Sequence, residues 1–295
     1  MKLKQKVVRN IVYYFCLFLL MVVRVFPYKF LSDCGAFIAH FIFTKFLAKN
    51  REIVQKNLAL AFPNKTIEEI KTIENNFYQH LGRSFFEFLK VPYLSKKKFK
   101  QLFSKIKGME HILKARSDDK AILLLSGHIG NWELMGAYLA STGLPVNVVA
   151  KKIYDERLND LLLKYRSING VRTLMREEGT KDMIRVLKNK ECLGILIDQD
   201  TNVRGIDAQF FGKIAKTPVG ATILAQKYSA VVLPIFTNRI GKYQHMIEIE
   251  EPIELTGDLI GDTQKFNNII ENRIIKFPAE WVWLHKRWQR KYSVC

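Results

Sequence analysis

His128 and Glu133 stand five positions apart in the stretch AILLLSGHIGNWE, residues 121–133. An imidazole beside a carboxylate makes a general base: the neutral ring takes a proton from a hydroxyl, while the carboxylate selects the tautomer and stabilises the imidazolium that forms. No serine or cysteine nucleophile is needed when the attacking hydroxyl belongs to the substrate. In one continuous helix, five positions turn the two side chains roughly 140° apart. They meet only if His128 lies in a loop and Glu133 in the first helical turn. The plain alternative is a histidine hydrogen-bonded at a helix start. A zinc reading is weak, because the spacing is not HExxH and Cys16, Cys34, Cys192 and Cys295 are widely scattered.

The surrounding pattern supplies such a junction. Ala121 to Leu125 is an apolar run that reads as a buried strand, ended by Ser126 and Gly127, and the residues after Gly130 begin a mostly apolar helix. Gly127 and Gly130 flank the loop and permit a tight reversal. Val146 to Lys151 reads as another strand, followed by a helical pattern from Asp155 to Tyr165. Lys181 to Lys190 reads as a helix, and Leu193 to Ile197 as a buried strand ending in Asp198, Gln199 and Asp200. Polar residues just past a strand's carboxyl end border the crevice of an α/β sheet. Asp198 and Asp200 could hold magnesium, but the ligand set is incomplete. Thr217 and Pro218 look like a cap and first position of a helix running to Lys227. Phe210, Phe211 and Gly212 before it suit either a lipid-facing wall or the core. Ala230 to Phe236 and Gln244 to Glu250 suit hairpin partners, with an antiparallel edge on a mostly parallel sheet. Thr263 to Lys276 reads as a helix.

Upstream, Thr66 and Glu69 form a capping box for a helix whose Ile67, Ile70, Ile73, Phe77, Leu81, Phe85 and Phe88 make an apolar stripe. Packing on the main domain is its simplest use, an acyl-chain groove the other. Pro92 ends the unit, and KKKFK at 96–100 reads as exposed. At the N-terminus, IVYYFCLFLLMVV between Asn10 and Arg24 is shorter than the roughly 20 residues of a standard span. Its basic preface suggests a signal peptide, yet no small-x-small cleavage site follows. A retained anchor fits better, crossing the membrane or lying on it, with the next apolar segment, carrying Asp33 and His40, as an interfacial helix. Residues 1–50 are therefore expected to be a membrane-associated helical arm and 51–295 one domain, α/β with a mixed, mostly parallel sheet flanked by helices.

The chain has 47 Lys and Arg against 28 Asp and Glu, formal charge +19, and 48% apolar residues with 20 phenylalanines and 11 tyrosines. This opposes disorder and favours an anionic partner without choosing among nucleic acid, phospholipid headgroups and an acidic protein. Four unpatterned cysteines give no disulfide framework. No Walker A, RNP-like, zinc-finger or GxGxxG signature appears, so nucleotide use and sequence-specific nucleic-acid binding are not expected.

HIGNWE followed by an apolar helix resembles the His-x4-acid motif of glycerolipid and lysophospholipid acyltransferases, particularly the HxGNWE form of the bacterial lipid A late acyltransferases. NLALAFPN at 57–64, GILIDQD at 194–200, AQFFGKIAKTPVGATILAQK at 208–227 and PAEWVWLHKRW at 278–288 extend the resemblance in order through most of the chain. The resemblance implies a glycerolipid acyltransferase-like domain with His128 and Glu133 as catalytic pair. It adds Arg166 to the catalytic site, through phosphate binding or stabilisation of a negative oxygen, and Arg239 and Asn131 to substrate binding, Arg239 at an acceptor phosphate. Gly127, Gly130, Asp198 and Gln199 are implied as scaffold. No cofactor or metal is implied. The donor would be an acyl carrier protein thioester and the acceptor a hydroxyl of a phosphorylated glycolipid, a lipid A precursor, at an anionic membrane surface on the cytoplasmic face of the bacterial inner membrane. Tryptophans of the tail would pack, while Lys286, Arg287, Arg290 and Lys291 would meet that surface. The alternatives are a lysophospholipid or other glycolipid acceptor, with acyl-CoA as another donor, or a non-enzymatic basic protein binding membrane or nucleic acid.

Overall fold

The computed structural model describes residues 3–288 apart from Asn202, with side chains from Lys6 onward. Arg290, Lys291 and Cys295 lie outside the described residues. Four helices come first: α1 (Leu3–Val25), α2 (Tyr28–Lys45), α3 (Ala48–Ala61) and α4 (Ile67–Lys90). The Thr66 hydroxyl accepts from Glu69 N and the Glu69 carboxylate from Thr66 N, so the capping box starts α4 as its sequence requires. Helices α2 and α4 cross where two glycines touch, since a Cβ at Gly82 would stand 2.0 Å from Gly35 O. Asp33 on α2 accepts from Arg83 at 2.6 Å and from the Tyr243 hydroxyl at 2.6 Å, which ties α2 to α4 and to the later part of the chain.

The rest of the chain alternates strands and helices. A short helix α5 (Lys96–Lys100) precedes β1 (Phe103–Lys107), α6 (Met109–Ser117), β2 (Ile122–Ser126), α7 (Trp132–Ser141), β3 (Val146–Ala150), α8 (Glu156–Ile168), β4 (Arg172–Met175), α9 (Lys181–Lys188) and β5 (Cys192–Leu196). A hairpin of β6 (Gly205–Phe210) and β7 (Lys213–Pro218) follows, then α10 (Gly220–Lys227), β8 (Val231–Ile240), β9 (Gln244–Ile249) and α11 (Leu259–Lys276). The main sheet has the order β1-β9-β8-β2-β5-β3-β4, and every neighbour is parallel except the hairpin β8–β9. Strand β2 is buried throughout, and its alternate residues serve two cores. Leu123 and Leu125 pack with α9, α10 and α11, whereas Ile122 and Leu124 pack with α6 and α7. The fold is thus the expected mixed, mostly parallel α/β sheet with helices on both faces.

Two local expectations change, and one open choice is settled. The antiparallel strand β9 is not the edge, because β1 pairs outside it in parallel. Thr217 and Pro218 end strand β7 opposite Ile206 and Gly205, and α10 starts only at Gly220. A proline at a strand end forfeits little pairing, and the two positive-φ residues Phe211 (53°) and Gly212 (65°) close the two-residue hairpin turn that the sequence reading missed. Phe210 is fully buried against Trp281 and Trp288, so it belongs to the core.

Candidate active site

The register of β2 and β5 decides which carboxylate meets His128. Ser126 pairs with Leu196, so His128 and Asp198 each lie two residues past matched ends of neighbouring parallel strands. Strands so paired run about 4.8 Å apart, and the side chains meet: His128 Nδ1 lies 2.8 Å from Asp198 Oδ1, and His128 N donates to Asp198 Oδ2 at 3.0 Å. Trp281 Nε1 donates to the same Oδ2 at 2.7 Å. Asp198 is completely buried. Burial alone would push its carboxyl up, but the His128 ring, Trp281 and the His128 amide hold it down to about 2. An ionised Asp198 accepts from Nδ1–H and leaves the lone pair on Nε2, the tautomer a general base needs.

Glu133 takes a different partner. His128 does lie in the loop and Glu133 in the first turn of α7, as a meeting would require. The Glu133 carboxylate instead receives two bonds from Arg166, Nε to Oε2 at 3.0 Å and Nη2 to Oε1 at 2.6 Å. A guanidinium fork fits a carboxylate better than one imidazole N–H does, and α8 delivers it from its last turn. Arg166 Nη1 is buried and makes no hydrogen bond among the described residues.

His128, Glu133, Arg166 and Gln199 all line one partly open cavity of about 800 Å³, within the size range of small-ligand sites. Its depth is apolar, with Leu124, Met135, Leu139, Val146, Ile195 and Ile223 among the walls. Lys151, Arg166, Arg176, Arg204 and Lys227 also line it, against Glu133 as the acidic side chain among the described lining residues. The site thus joins a base, an anion-favouring border and a hydrocarbon-like interior.

The loop carrying His128 is clamped by the C-terminal segment. Gly130 N donates to Glu280 O at 2.9 Å, and Val282 N to His128 O at 3.1 Å. Gly130 has φ 65°, and a Cβ there would stand 1.8 Å from Thr237 O, so glycine is required. Gly127 is also confined, since a Cβ would meet Asp198 Cγ at 3.2 Å. Asn57 of α3 anchors the same segment by donating to the carbonyls of Trp283 and His285 at 2.7 and 2.8 Å. Sequence reading missed Asn57 and Trp281 as supports of His128. The signal lay in the NLALAFPN and PAEWVW segments, whose shared resemblance did not say that they touch.

Two expected substrate ligands are used internally. Arg239 donates from Nη1 and Nη2 to the two oxygens of Glu87, each at 2.8 Å, and it does not line the cavity. Asn131 caps α7 by accepting from Leu134 N, and its amide donates to Ser84 O and Glu87. Arg239 therefore holds α4 against β8, and Asn131 holds it against the start of α7. Glu87 is fully buried, and although burial works against its charge, Arg239 and His245 hold its carboxyl well below the usual range. The sequence clue was an acid inside the apolar stripe, in FFEFLK. Arg287, expected at an anionic surface, is also buried, bonding Lys216 O and Thr217 Oγ1.

Glu280 behaves oppositely to Asp198. Burial pushes its carboxyl up to about 7, against the bonds from Arg239 N and Asn238 that favour the charge. The folded chain then keeps a proton that the unfolded chain releases, so stability falls as pH rises from the ordinary value of 4.5 to about 7. We expect Glu280→Gln to flatten the pH dependence of the melting temperature over that interval. An unchanged slope would place the titration elsewhere.

A sheet with a His–carboxylate pair at its strand ends, above an apolar cavity, is the frame of an enzyme acting on an apolar substrate, and comparison with known proteins makes the class an acyltransferase. The chain belongs to the bacterial lipid A biosynthesis acyltransferase family, whose sequence model matches residues 1–290. It is 25% identical over 240 residues to a lipid A biosynthesis acyltransferase of Haemophilus influenzae, covering 80% of this chain and 74% of that protein. It is 23% identical over 255 residues to the lipid A biosynthesis lauroyltransferase of Escherichia coli K12, covering 84% and 81%. A phosphatidylinositol mannoside acyltransferase of Mycobacterium tuberculosis is 26% identical over 216 residues, covering 70% of this chain and 67% of that protein.

Proposed function

We propose that this acyltransferase moves a fatty acyl group from acyl carrier protein to a hydroxyl of a lipid A precursor, at the cytoplasmic face of the bacterial inner membrane. The observation that carries the reading is the His128–Asp198 pair on the wall of a cavity that is apolar inside and cationic at its border. His128 Nε2 takes the proton of the acceptor hydroxyl. The hydroxyl oxygen attacks the thioester carbonyl, the carbon–sulfur bond breaks, and the leaving thiolate takes the proton back from the imidazolium. Arg166, oriented by Glu133, offers its unpaired Nη1–H to the negative oxygen or to a phosphate. An acidic carrier and a phosphorylated glycolipid both suit a chain of formal charge +19, and the apolar α1 suits attachment to a membrane. A second acceptor class, a mannosylated phospholipid, is favoured by the similarity to the mycobacterial phosphatidylinositol mannoside acyltransferase.

Mass spectrometry of the purified enzyme with acyl carrier protein or CoA thioesters, each offered lipid A precursors and phosphoglycolipids, separates these readings, because one product mass fixes donor and acceptor. Absence of acyl transfer to a lipid A precursor, with transfer to another acceptor, would overturn the acceptor assignment. We also expect Arg166→Lys to lower kcat/KM about tenfold, the worth of one charge-assisted hydrogen bond, although the charge is kept. Kinetics equal to wild type would remove the Arg166 donor geometry from the site.

A further inference from the structure

Helix α1 offers 20 residues, Lys6–Val25, long and apolar enough to cross a membrane, yet it is docked on the rest of the chain near both its ends. Arg9, Asn10, Tyr13, Leu17, Leu20 and Val23 recur at three- to four-residue spacing and are partly or fully buried. Near the N-terminal end, Arg157 Nη1 donates to Asn10 Oδ1 at 2.9 Å and the guanidinium lies 4.5 Å from the Tyr13 ring centre. Arg9 stacks 3.9 Å from the ring centre of Tyr154. Near the other end, Lys90 Nζ donates to the carbonyls of Val23 and Arg24 at 2.9 and 3.0 Å. The opposite side is bare hydrocarbon: Ile11, Phe15, Phe18, Met21 and Val25 are 60–78% exposed. It continues through Phe37 on α2 and Phe46 just past its end, 71% and 70% exposed.

These contacts conflict with a passage across the bilayer. Asn10 and Val23 are about 20 Å apart along the helix axis, and the hydrocarbon layer is about 30 Å thick. An upright α1 with its apolar run centred in that layer would carry both docking points into it. Asp155 and Arg157 would enter at one level and Lys90, with Lys98 near it, at another. Each such charge is costly to bring into hydrocarbon, where no water solvates it. Lying flat, the same helix keeps every contact, sinks its bare side about 5–10 Å into one leaflet, and leaves Lys6, Arg24 and Lys29 for anionic headgroups.

We infer that α1 and the outer side of α2 lie in the plane of one phospholipid leaflet and do not cross it. This rests on the membrane reading proposed above and specifies its geometry. Both docking points adjoin the cavity: Phe88 precedes Lys90 by two residues and Lys151 precedes Tyr154 by three, and both line it. An in-plane α1 therefore lays the cavity against the leaflet, so that a lipid acceptor reaches His128 without leaving the interface.

The full-length chain carrying Lys6→Cys or Arg24→Cys, both exposed positions at opposite ends of α1, is treated with a membrane-impermeant maleimide in right-side-out and inside-out membrane vesicles. Wild-type labelling is subtracted, and acyl transfer by each variant reports folding. We expect both positions to label at least about tenfold more in the same vesicle type, as an in-plane helix requires. Labelling of the two ends in opposite vesicle types would overturn the inference and leave membrane attachment standing. Failure of the wild-type chain to sediment with either vesicle would overturn the membrane reading itself.

Discussion

His128→Ala lowers acyl transfer by about 10²–10⁴-fold, the usual worth of a positioned general base, while the fold survives. The loop does not depend on the imidazole for its shape, because His128 N, His128 O and Gly130 N are all bonded through the backbone. Asp198→Asn is expected to cost nearly as much for a different reason. Asp198 Oδ2 accepts from both His128 N and Trp281 Nε1, so an asparagine amide must put its oxygen there. Its NH2 then faces His128 Nδ1 and donates to it, which forces the proton onto Nε2 and removes the base. Glu133→Gln, by contrast, leaves the His128 tautomer alone and loosens Arg166. Steady-state kinetics beside thermal unfolding checks all three. Near-normal turnover in a folded His128→Ala chain would end the base assignment, and an active Asp198→Asn would show that the tautomer is set otherwise. Asp198 also ties stability to acid. Its depressed carboxyl stabilises the fold fully above the unfolded value near 4 and loses that contribution as pH falls toward about 2.

Arg239→Ala costs about 3–5 kcal/mol of stability, because it strands a buried carboxylate. Glu87 would lose both Arg239 bonds, and burial would then push its carboxyl up, inside the packing between α4 and the sheet. The joint substitution Glu87→Gln with Arg239→Met should recover most of the loss, since a buried ion pair replaced by neutral groups of similar volume is often close to neutral. Urea unfolding midpoints of the single and joint variants test this. A stable Arg239→Ala chain that loses turnover only on phosphorylated acceptors would restore Arg239 to acceptor binding. The pair also explains why Asn131 is fixed: its amide shares Glu87, so the start of α7 moves with α4.

Local chemistry was legible in the sequence. The capping box at Thr66, the strand-to-helix switch at Gly127 to Gly130, the buried run of β2 and the polar exit of β5 all depend on neighbours within a few residues, and each formed near its expected place. The motif named His128 and Glu133 together because they are close in the chain. Tertiary structure decided the pairings, since a side chain's partner depends on which strand lies beside it and how far one has slid along the other. The register Ser126 to Leu196 gave His128 to Asp198, seventy residues away, and the last turn of α8 gave Arg166 to Glu133. The same limit hid Arg239 and Arg287. Arginine in a sequence advertises a charge, but whether that charge faces a ligand or a buried partner is settled only when Glu87 or Thr217 arrives from a distant element to desolvate it.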